Sequence, residues 1–307
     1  MADLPLERVR QAKPFSVTGV DYAGPFLVSS RRARGITPSK FYVCLFVCFA
    51  IKAIYLELAF NLSTESFLAA LRRFIARRGR CSQLYSDCGT NFVGANKELI
   101  RHMQIAAEQE KIIWSFNPPS APHFGGLWES GVKAMKTHLK RVIGDQILTN
   151  EEFNTLLAQV KAVLNSRPLC PLSSDTNDLG VLSPGHFLTL EPLVSVPHVD
   201  LELVPINRLS RWQMVQHMHQ SFWKRWHEEY LHKLQQRPKW LDPAKPIQEG
   251  SLVLLKDENA PPLQWKRGRV TQVHPGRDGV PRVATVRTSG SSLTRSLVKL
   301  CHLPMDN

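Results

Sequence analysis

The chain has 307 residues, enough for about two domains, and its 43% hydrophobic and 21% charged residues are typical of a globular protein. This composition excludes a disordered or fibrous chain. The formal net charge is +13, and the basic surplus lies in residues 1–150 and 208–307, on either side of an acidic segment at 151–207. Such a surplus favours a polyanionic partner, most often nucleic acid, because binding releases counterions; a solvated basic surface is the alternative.

The sequence predicts neither a membrane crossing nor a disulfide framework. The longest uninterrupted apolar run, 41–51, is well short of the roughly 20 residues that a spanning helix needs. The six cysteines have no regular spacing, and the first residues lack the apolar segment of a secretory signal. We therefore expect an intracellular protein in a reducing environment.

The first half of the chain alternates patterns typical of strands and of helices. Runs rich in Val, Ile, Phe and Tyr predict strands at 15–21, 41–49, 53–60, 83–86 and 112–116. Helical spacing and capping residues predict helices at 64–78, 96–111, 127–143 and 150–164. Three antiparallel strands followed by helix–strand repeats indicate an α/β fold with a mixed central sheet.

The second half changes character twice. Residues 168–207 are rich in proline and show no periodicity, which is typical of an irregular connector. A long amphipathic helix follows from Ser210 to Gln236, with Phe222, Trp226 and Tyr230 on one stripe. This stripe either packs on the chain's own core or forms an interface between copies. Short β-type runs from Ile247 onward predict a small β-barrel.

Three acidic residues stand out by position. Asp21 lies in a strand, Asp87 at the end of another strand, and Glu129 at the start of a helix. An aspartate in an apolar strand has a desolvation cost that a bound cation can offset, and Mg²⁺ prefers carboxylate oxygens. Each acid taken singly has an ordinary alternative: turn formation for the aspartate before a glycine, and the helix dipole for the glutamate.

The segments around these acids resemble a known family. GVDYAGPF, SDCGTNFVGA and FNPPSAPHFGGLWESGVKAMK resemble the three catalytic boxes of retroviral and retrotransposon integrases, most of all those of the Pao/BEL group of LTR retrotransposons. LNSRPL, LSPGHFL and the tail from FWKRW to RSLVKLCHLP extend the resemblance over nearly the whole chain. It implies an RNase H-like core whose mixed sheet is flanked by helices, followed by a long helix and a small SH3-like β-barrel. The implied domains are an N-terminal tail at 1–13, the catalytic core at 14–170, a linker at 171–207, a helical connector at 208–240 and the barrel module at 247–304.

The resemblance also assigns roles to individual residues. It implies that Asp21, Asp87 and Glu129 form a D,D,E triad that binds two Mg²⁺ or Mn²⁺ ions. Lys133 and Lys136 are expected to contact DNA from the face of the helix that carries Glu129; a solvated face is the alternative. The remaining predicted DNA contacts are Asn117, Ser120 and His123 in the preceding loop, and Arg267 and Arg269 in the C-terminal module. His123 could equally be a structural hydrogen-bonding residue.

The implied function is DNA integration by an Mg-dependent polynucleotidyl transferase, through 3′-end processing and strand transfer. Its partners would be the element's DNA ends and target DNA, and it would act in the nucleus as a homo-oligomer. A captured or truncated nucleic-acid-binding protein without catalysis is the main alternative. No CxxC or HxxxH pair precedes the core, so we expect no zinc in this chain. The resemblance implies that a zinc-binding module normally stands there and helps DNA-end recognition and assembly. An RNase H-type nuclease is only a minor alternative, because ribonuclease H normally carries a fourth catalytic acid and we can place none in this sequence.

Overall fold

The computed structural model describes residues 11–33, 35–103, 112–116, 133, 135–173, 175, 177–235 and 247–303. The chain divides into two compact units. The first unit consists of Met1–Leu164 and Leu201–His219, and the second of Asn165–Asp200 and Gln220–Asn307. Within the described ranges, none of the helices combines the length and apolar character that a membrane crossing needs.

Strands and helices alternate along the first unit, and strands dominate the end of the second. In chain order, these elements are β1 (Val17–Ser29), β2 (Ser39–Cys48), β3 (Ile54–Ala59), α1 (Thr64–Arg78), β4 (Gln83–Ser86), α2 (Thr90–Met103), β5 (Ile113–Phe116), α3 (135–143), β6 (Leu148–Thr149), α4 (Asn150–Asn165), β7 (Cys170–Pro171), β8 (Val181–Leu182), α5 (His186–Thr189), α6 (Arg211–Gln235), β9 (Leu252–Leu255), β10 (Arg267–Pro275), β11 (Pro281–Arg287), β12 (Ser292–Ser296) and β13 (Leu300–His302).

The first unit is built on a mixed sheet with the order β3-β2-β1-β4-β5, to which β6 adds by pairing with β1. β1, β2 and β3 are antiparallel, whereas β4 runs parallel to both β1 and β5. β2 is rich in aromatic and β-branched residues and is buried along most of its length, as expected for a strand covered on both faces. The predicted α/β fold with a mixed central sheet is confirmed.

Helix α1 covers one face of this sheet with aromatic side chains. Of the two candidate capping residues in the sequence, Ser63 and Thr64, Ser63 is the N-cap: its hydroxyl accepts a hydrogen bond from the Ser66 backbone N–H at 3.2 Å. Phe74 of this helix stacks on Phe46 of β2, with ring centroids 4.3 Å apart. Helix α2 begins at Thr90, earlier than predicted, because Phe92 packs into the same core against Phe67. The end of the predicted helix at 96–111 lies outside the described residues.

The second unit contains a five-stranded sheet with the order β12-β11-β10-β9-β13. Strand β9 is buried on both sides: Leu252 and Leu254 face a cluster with Leu231 of α6, and Val253 and Leu255 face the interior of the sheet. The two edge strands, β12 and β13, do not pair with each other in the described structure. The sheet is therefore open, and closure into the predicted SH3-like barrel is not confirmed.

The apolar stripe of α6 is buried inside the second unit. Trp226 is 6% exposed and stacks on Tyr230, whose hydroxyl donates to the Pro168 carbonyl. Trp265 completes this cluster, with its ring centroid 6.0 Å from that of Trp226, and its indole N–H donates to the Ser166 hydroxyl at 3.1 Å. The intramolecular interpretation of the stripe is confirmed, and the partly buried Trp265 packs against it.

Two tryptophans of α6 provide a matched test of this packing. We expect Trp226→Ala to lower the free energy of unfolding by about 3–5 kcal/mol, because it empties a buried aromatic site. Trp212 lies on the same helix but is 64% exposed, so Trp212→Ala should change that free energy by no more than about 0.5 kcal/mol. Urea denaturation of both variants measures the difference, and equal losses would contradict the burial of Trp226.

Candidate active site

The pairing of β1 with β4 brings two of the predicted acids to neighbouring positions. Gly19 of β1 lies opposite Tyr85 of β4 in parallel register. Asp21 stands two residues beyond this pair within β1, and Asp87 stands two residues beyond it, just past the end of β4. Adjacent strands lie about 4.8 Å apart, and positions two residues apart on a strand share a face. The end of β4 that leads into Asp87 therefore lies beside the part of β1 that leads to Asp21.

Asp21 is half-buried and already has a cationic partner. Its Oδ2 lies 2.8 Å from the Lys136 ammonium, and its Oδ1 accepts the Tyr22 backbone N–H at 2.6 Å. The side chains of Asp21 and Lys136 are 28% and 34% exposed. An ion pair with this much solvent access contributes about 0–1 kcal/mol to stability. Its main consequence is that the carboxylate is neutralised without any ligand.

Tyr22 anchors the strand on the opposite face from Asp21. Its ring stacks on Phe92 and lies edge-on to Phe67, with centroids 5.5 and 6.4 Å away. Burial raises the pKa of the Tyr22 hydroxyl well above its ordinary value, so it stays protonated. Because successive strand residues point to opposite faces, this packing directs Asp21 towards α3.

Asp87 lies in the exposed turn between β4 and α2. Its Oδ1 accepts the Gly89 backbone N–H at 3.0 Å, which is the turn-forming role considered for it from the sequence. A Cβ at Gly89 would lie 3.1 Å from this oxygen and 2.8 Å from the Asn91 side-chain oxygen, so a larger residue there would require these side chains to move. The turn uses one oxygen of Asp87, and the described part of the chain supplies no partner for the other.

Helix α3 presents the two predicted lysines on one side. Met135 and Leu139 are fully buried and fix the helix against the unit's core. Lys136 reaches Asp21 from the flank of this buried stripe, whereas Lys133 is exposed. Residues three apart on a helix are neighbours, so the two ammonium groups are on the same side of α3.

Four predicted site residues cannot be placed. Glu129, Asn117, Ser120 and His123 lie outside the described residues, so the convergence of the triad stays a prediction. Among the residues that are described, no group of three or more His, Cys, Asp or Glu side chains is arranged to hold a metal ion. Asp21 and Asp87 do supply the carboxylate oxygens that Mg²⁺ prefers, so the donor chemistry fits a divalent cation.

The two predicted DNA-contacting arginines of β10 differ sharply. Arg267 is exposed. Arg269 is 3% exposed, and its guanidinium donates to the backbone carbonyls of Asp175 at 2.8 Å, Asp178 at 3.2 Å and Gly250 at 2.9 Å. The turn at 175–178 covers this part of the strand. Arg269 therefore has a structural position, which corrects its assignment as a DNA contact.

A further charged cluster on β3 and α1 was missed from the sequence. Glu57 is 6% exposed, and its carboxylate accepts hydrogen bonds from Arg73, Arg77 and the Tyr55 hydroxyl. The available signal was an acid at the centre of the apolar run YLELAF, the same signal that drew attention to Asp21.

Comparison with known proteins gives limited matches. Residues 210–303 match the model of a family of unknown function, DUF5641, and no curated protein matches the chain. A simian T-cell lymphotropic virus intasome, solved in complex with the PP2A regulatory subunit B56 gamma, has 15% identity and a TM-score of 0.36, with 100% of this chain and 85% of that chain covered. The HTLV-2 integrase catalytic core domain in complex with magnesium, in a trimeric form, has 14% identity and a TM-score of 0.37, with coverages of 58% and 99%. Likeness of this degree carries no argument about activity.

The ion pair at Asp21 makes a testable prediction about metal binding. We expect Lys136→Met to bind Mg²⁺ about two- to fivefold more tightly than the unmodified protein, because the ammonium no longer competes for the carboxylate. Lys140→Met, which removes an exposed lysine from the same helix, should leave the affinity unchanged. Isothermal titration calorimetry measures both variants. Unchanged or weaker binding by Lys136→Met would show that Lys136 and the metal do not share Asp21.

Proposed function

We propose that the first unit is the catalytic core of a DDE-type polynucleotidyl transferase that integrates DNA, as in Pao/BEL-type retrotransposons. The observation that carries the proposal is the parallel pairing of β1, which carries Asp21, with β4, whose end leads directly into Asp87, together with the contact of Lys136 with Asp21. Glu129 is the proposed third acid. The proposed catalytic core spans residues 14–170.

Each residue of the site has a role in this mechanism. Asp21, Asp87 and Glu129 would hold two Mg²⁺ or Mn²⁺ ions, whose chemistry is to polarise the phosphoryl group and to stabilise the attacking and leaving oxygens. The sheet holds Asp21 rigid through β1, so its carboxylate is oriented before substrate arrives. Lys136 neutralises Asp21 in the free protein. With Asp21 holding a cation, the Lys136 ammonium would be available to hold a DNA phosphate, together with Lys133.

The second unit supplies non-specific DNA binding in this proposal. Residues 208–307 carry a basic surplus, and Arg267 is exposed on β10. We propose that residues 247–304 form an SH3-like barrel module. The support is the strand order, in which the last strand, β13, returns to pair with the first, β9. The active form would be a homo-oligomer in the nucleus, bound to the element's DNA ends and to target DNA.

One observation favours a second candidate, a nucleic-acid-binding protein without catalysis. The Lys136 ammonium pairs with Asp21, so the charge of this carboxylate is balanced without a metal. A captured or truncated integrase that keeps its fold and its basic surfaces can bind nucleic acid without a metal ion in this site. Activity measurements on the intact chain separate the two functions.

The catalytic proposal predicts a separation of activity from binding. Asp21→Asn, Asp87→Asn and Glu129→Gln should each lower Mg²⁺-dependent joining of a duplex oligonucleotide to plasmid DNA at least about 100-fold, because each removes a metal-ligating charge. DNA affinity, measured by fluorescence anisotropy, should change less than about twofold, because Lys and Arg dominate it.

Glu98→Gln, which changes a glutamate on α2, is the control and should join DNA normally. Full joining activity in Asp21→Asn would contradict the assigned triad. An unmodified protein that binds DNA but joins none would favour the non-catalytic function.

The two arginines of β10 give a second test within this proposal. Arg267→Gln should weaken DNA binding and reduce the slope of log affinity against log salt by about 1, with unchanged stability. Arg269→Gln should instead lower the free energy of unfolding by about 1–3 kcal/mol, because buried carbonyls lose their donor. Anisotropy at several salt concentrations and urea denaturation measure these effects. A stable Arg269→Gln variant with a reduced salt slope would restore Arg269 to the DNA-contacting set.

A further inference from the structure

The first unit contains a second candidate site, away from Asp21, between β3, α1 and α4. It is a cavity of about 500 Å³. Three cationic side chains, Arg73, Arg77 and Lys161, line it, together with a single acid, Glu57. Volumes of about 300–1,000 Å³ are typical of small-molecule sites. The charge on its walls therefore decides what it can bind.

Glu57 has no capacity left to neutralise a third cation. Its Oε2 accepts from Arg73 Nε at 2.7 Å. Its Oε1 accepts from the Tyr55 hydroxyl at 2.7 Å and also from Arg77 Nη1. The carboxylate is buried, so water does not add to this shell. Counting one charge for each group, the walls keep two uncompensated positive charges.

Lys161 carries one of these charges in an unfavourable place. Its ammonium lies 4.4 Å from the centre of the Tyr55 ring, and the Arg78 guanidinium lies 5.6 Å from the same ring. Burial and the neighbouring charge of Arg78 lower the pKa of Lys161. Within the described residues, this ammonium forms no salt bridge and no hydrogen bond; it contacts the face of the Tyr55 ring and feels the charge of Glu57 only at longer range. An anionic ligand would supply both.

We propose that this cavity binds the phosphate monoester or diphosphate group of a nucleotide-sized ligand. A phosphate monoester carries a charge of about −1.5 to −2 at neutral pH, which matches the two uncompensated charges, and a diphosphate carries at least as much. Guanidinium groups suit phosphate oxygens, and Nη1 of Arg73 and Nη2 of Arg77 have no partner in the part of the chain that the structure describes. Leu58, Phe60 and Leu157 form an apolar wall on which the rest of the ligand packs.

Thermal unfolding of the full chain with inorganic pyrophosphate, in metal-free buffer of low ionic strength, tests this proposal. We expect the unfolding temperature to rise by about 3–5 °C at ten times the dissociation constant. Lys161→Met should abolish the rise, and without ligand it should unfold no earlier than the unmodified protein, because a desolvated ammonium has been removed. Arg72→Gln, an exposed arginine of α1 outside the cavity, should keep the full rise.

Two results would overturn the proposal. One is an equal rise in Lys161→Met and in the unmodified protein. The other is no rise in the unmodified protein at about 10 mM pyrophosphate. A dissociation constant above that concentration would be too weak for a specific site. If Lys161→Met fails to fold, Arg77→Gln makes the same test, because the Arg77 side chain is 59% exposed.

Two further ligands show whether the cavity binds a free phosphate monoester or the phosphodiester backbone of a nucleic acid. AMP should compete with pyrophosphate, whereas a single-stranded oligonucleotide without terminal phosphates should not. Binding of that oligonucleotide in a Lys161-dependent way, with no binding of pyrophosphate, would assign the cavity to the nucleic-acid backbone and overturn the monoester proposal. Asp21→Asn should keep the pyrophosphate effect, so that failure of the catalytic proposal is distinguishable from failure of this one.

Discussion

The register between β1 and its neighbours is the constraint on which the candidate active site depends. A slip of one residue would turn Asp21 towards the aromatic cluster and Tyr22 away from it. The contacts of Tyr22 with Phe67 and Phe92 oppose such a slip, because they bury a large ring on the other face of the strand. Aromatic packing on one side of the sheet thus fixes the carboxylate on the other side.

Charge compensation links this sheet to α3. A half-buried carboxylate needs a counter-charge, and the helix supplies one through Lys136 while Met135 and Leu139 hold it in the core. The same lysine therefore pairs with Asp21 in the free protein and, in the proposed function, would compete with a cation for this carboxylate. In the proposed function, metal binding and phosphate contact by α3 would be interdependent, because a cation held by the carboxylate would leave the ammonium available for a phosphate.

The sequence predicted what depends on local pattern and missed what depends on tertiary contact. Strand alternation and the Ser63 cap were enough to predict the sheet and α1, and an acid in an apolar strand pointed to Asp21. The bonds of Glu57 with Arg73 and Arg77 join β3 to the next helix, and no periodicity encodes them. The burial of Arg269 depends on a distant turn at 175–178, so alternation along β10 could not show that its side chain is covered.

The sheet separates the two charged sites of the first unit. Glu57 lies in the cross-strand row of Cys44 and Tyr22, whereas Asp21 lies in the adjacent row with Leu45 and Leu56. Directly opposed residues in an antiparallel pair share a face, and successive residues alternate between faces. The two carboxylates therefore point to opposite faces of the sheet. One face presents an acid whose counter-ion is exchangeable, and the other an acid already saturated by arginines and surrounded by surplus positive charge. A cation and an anion could thus bind the same small sheet without competing for side chains.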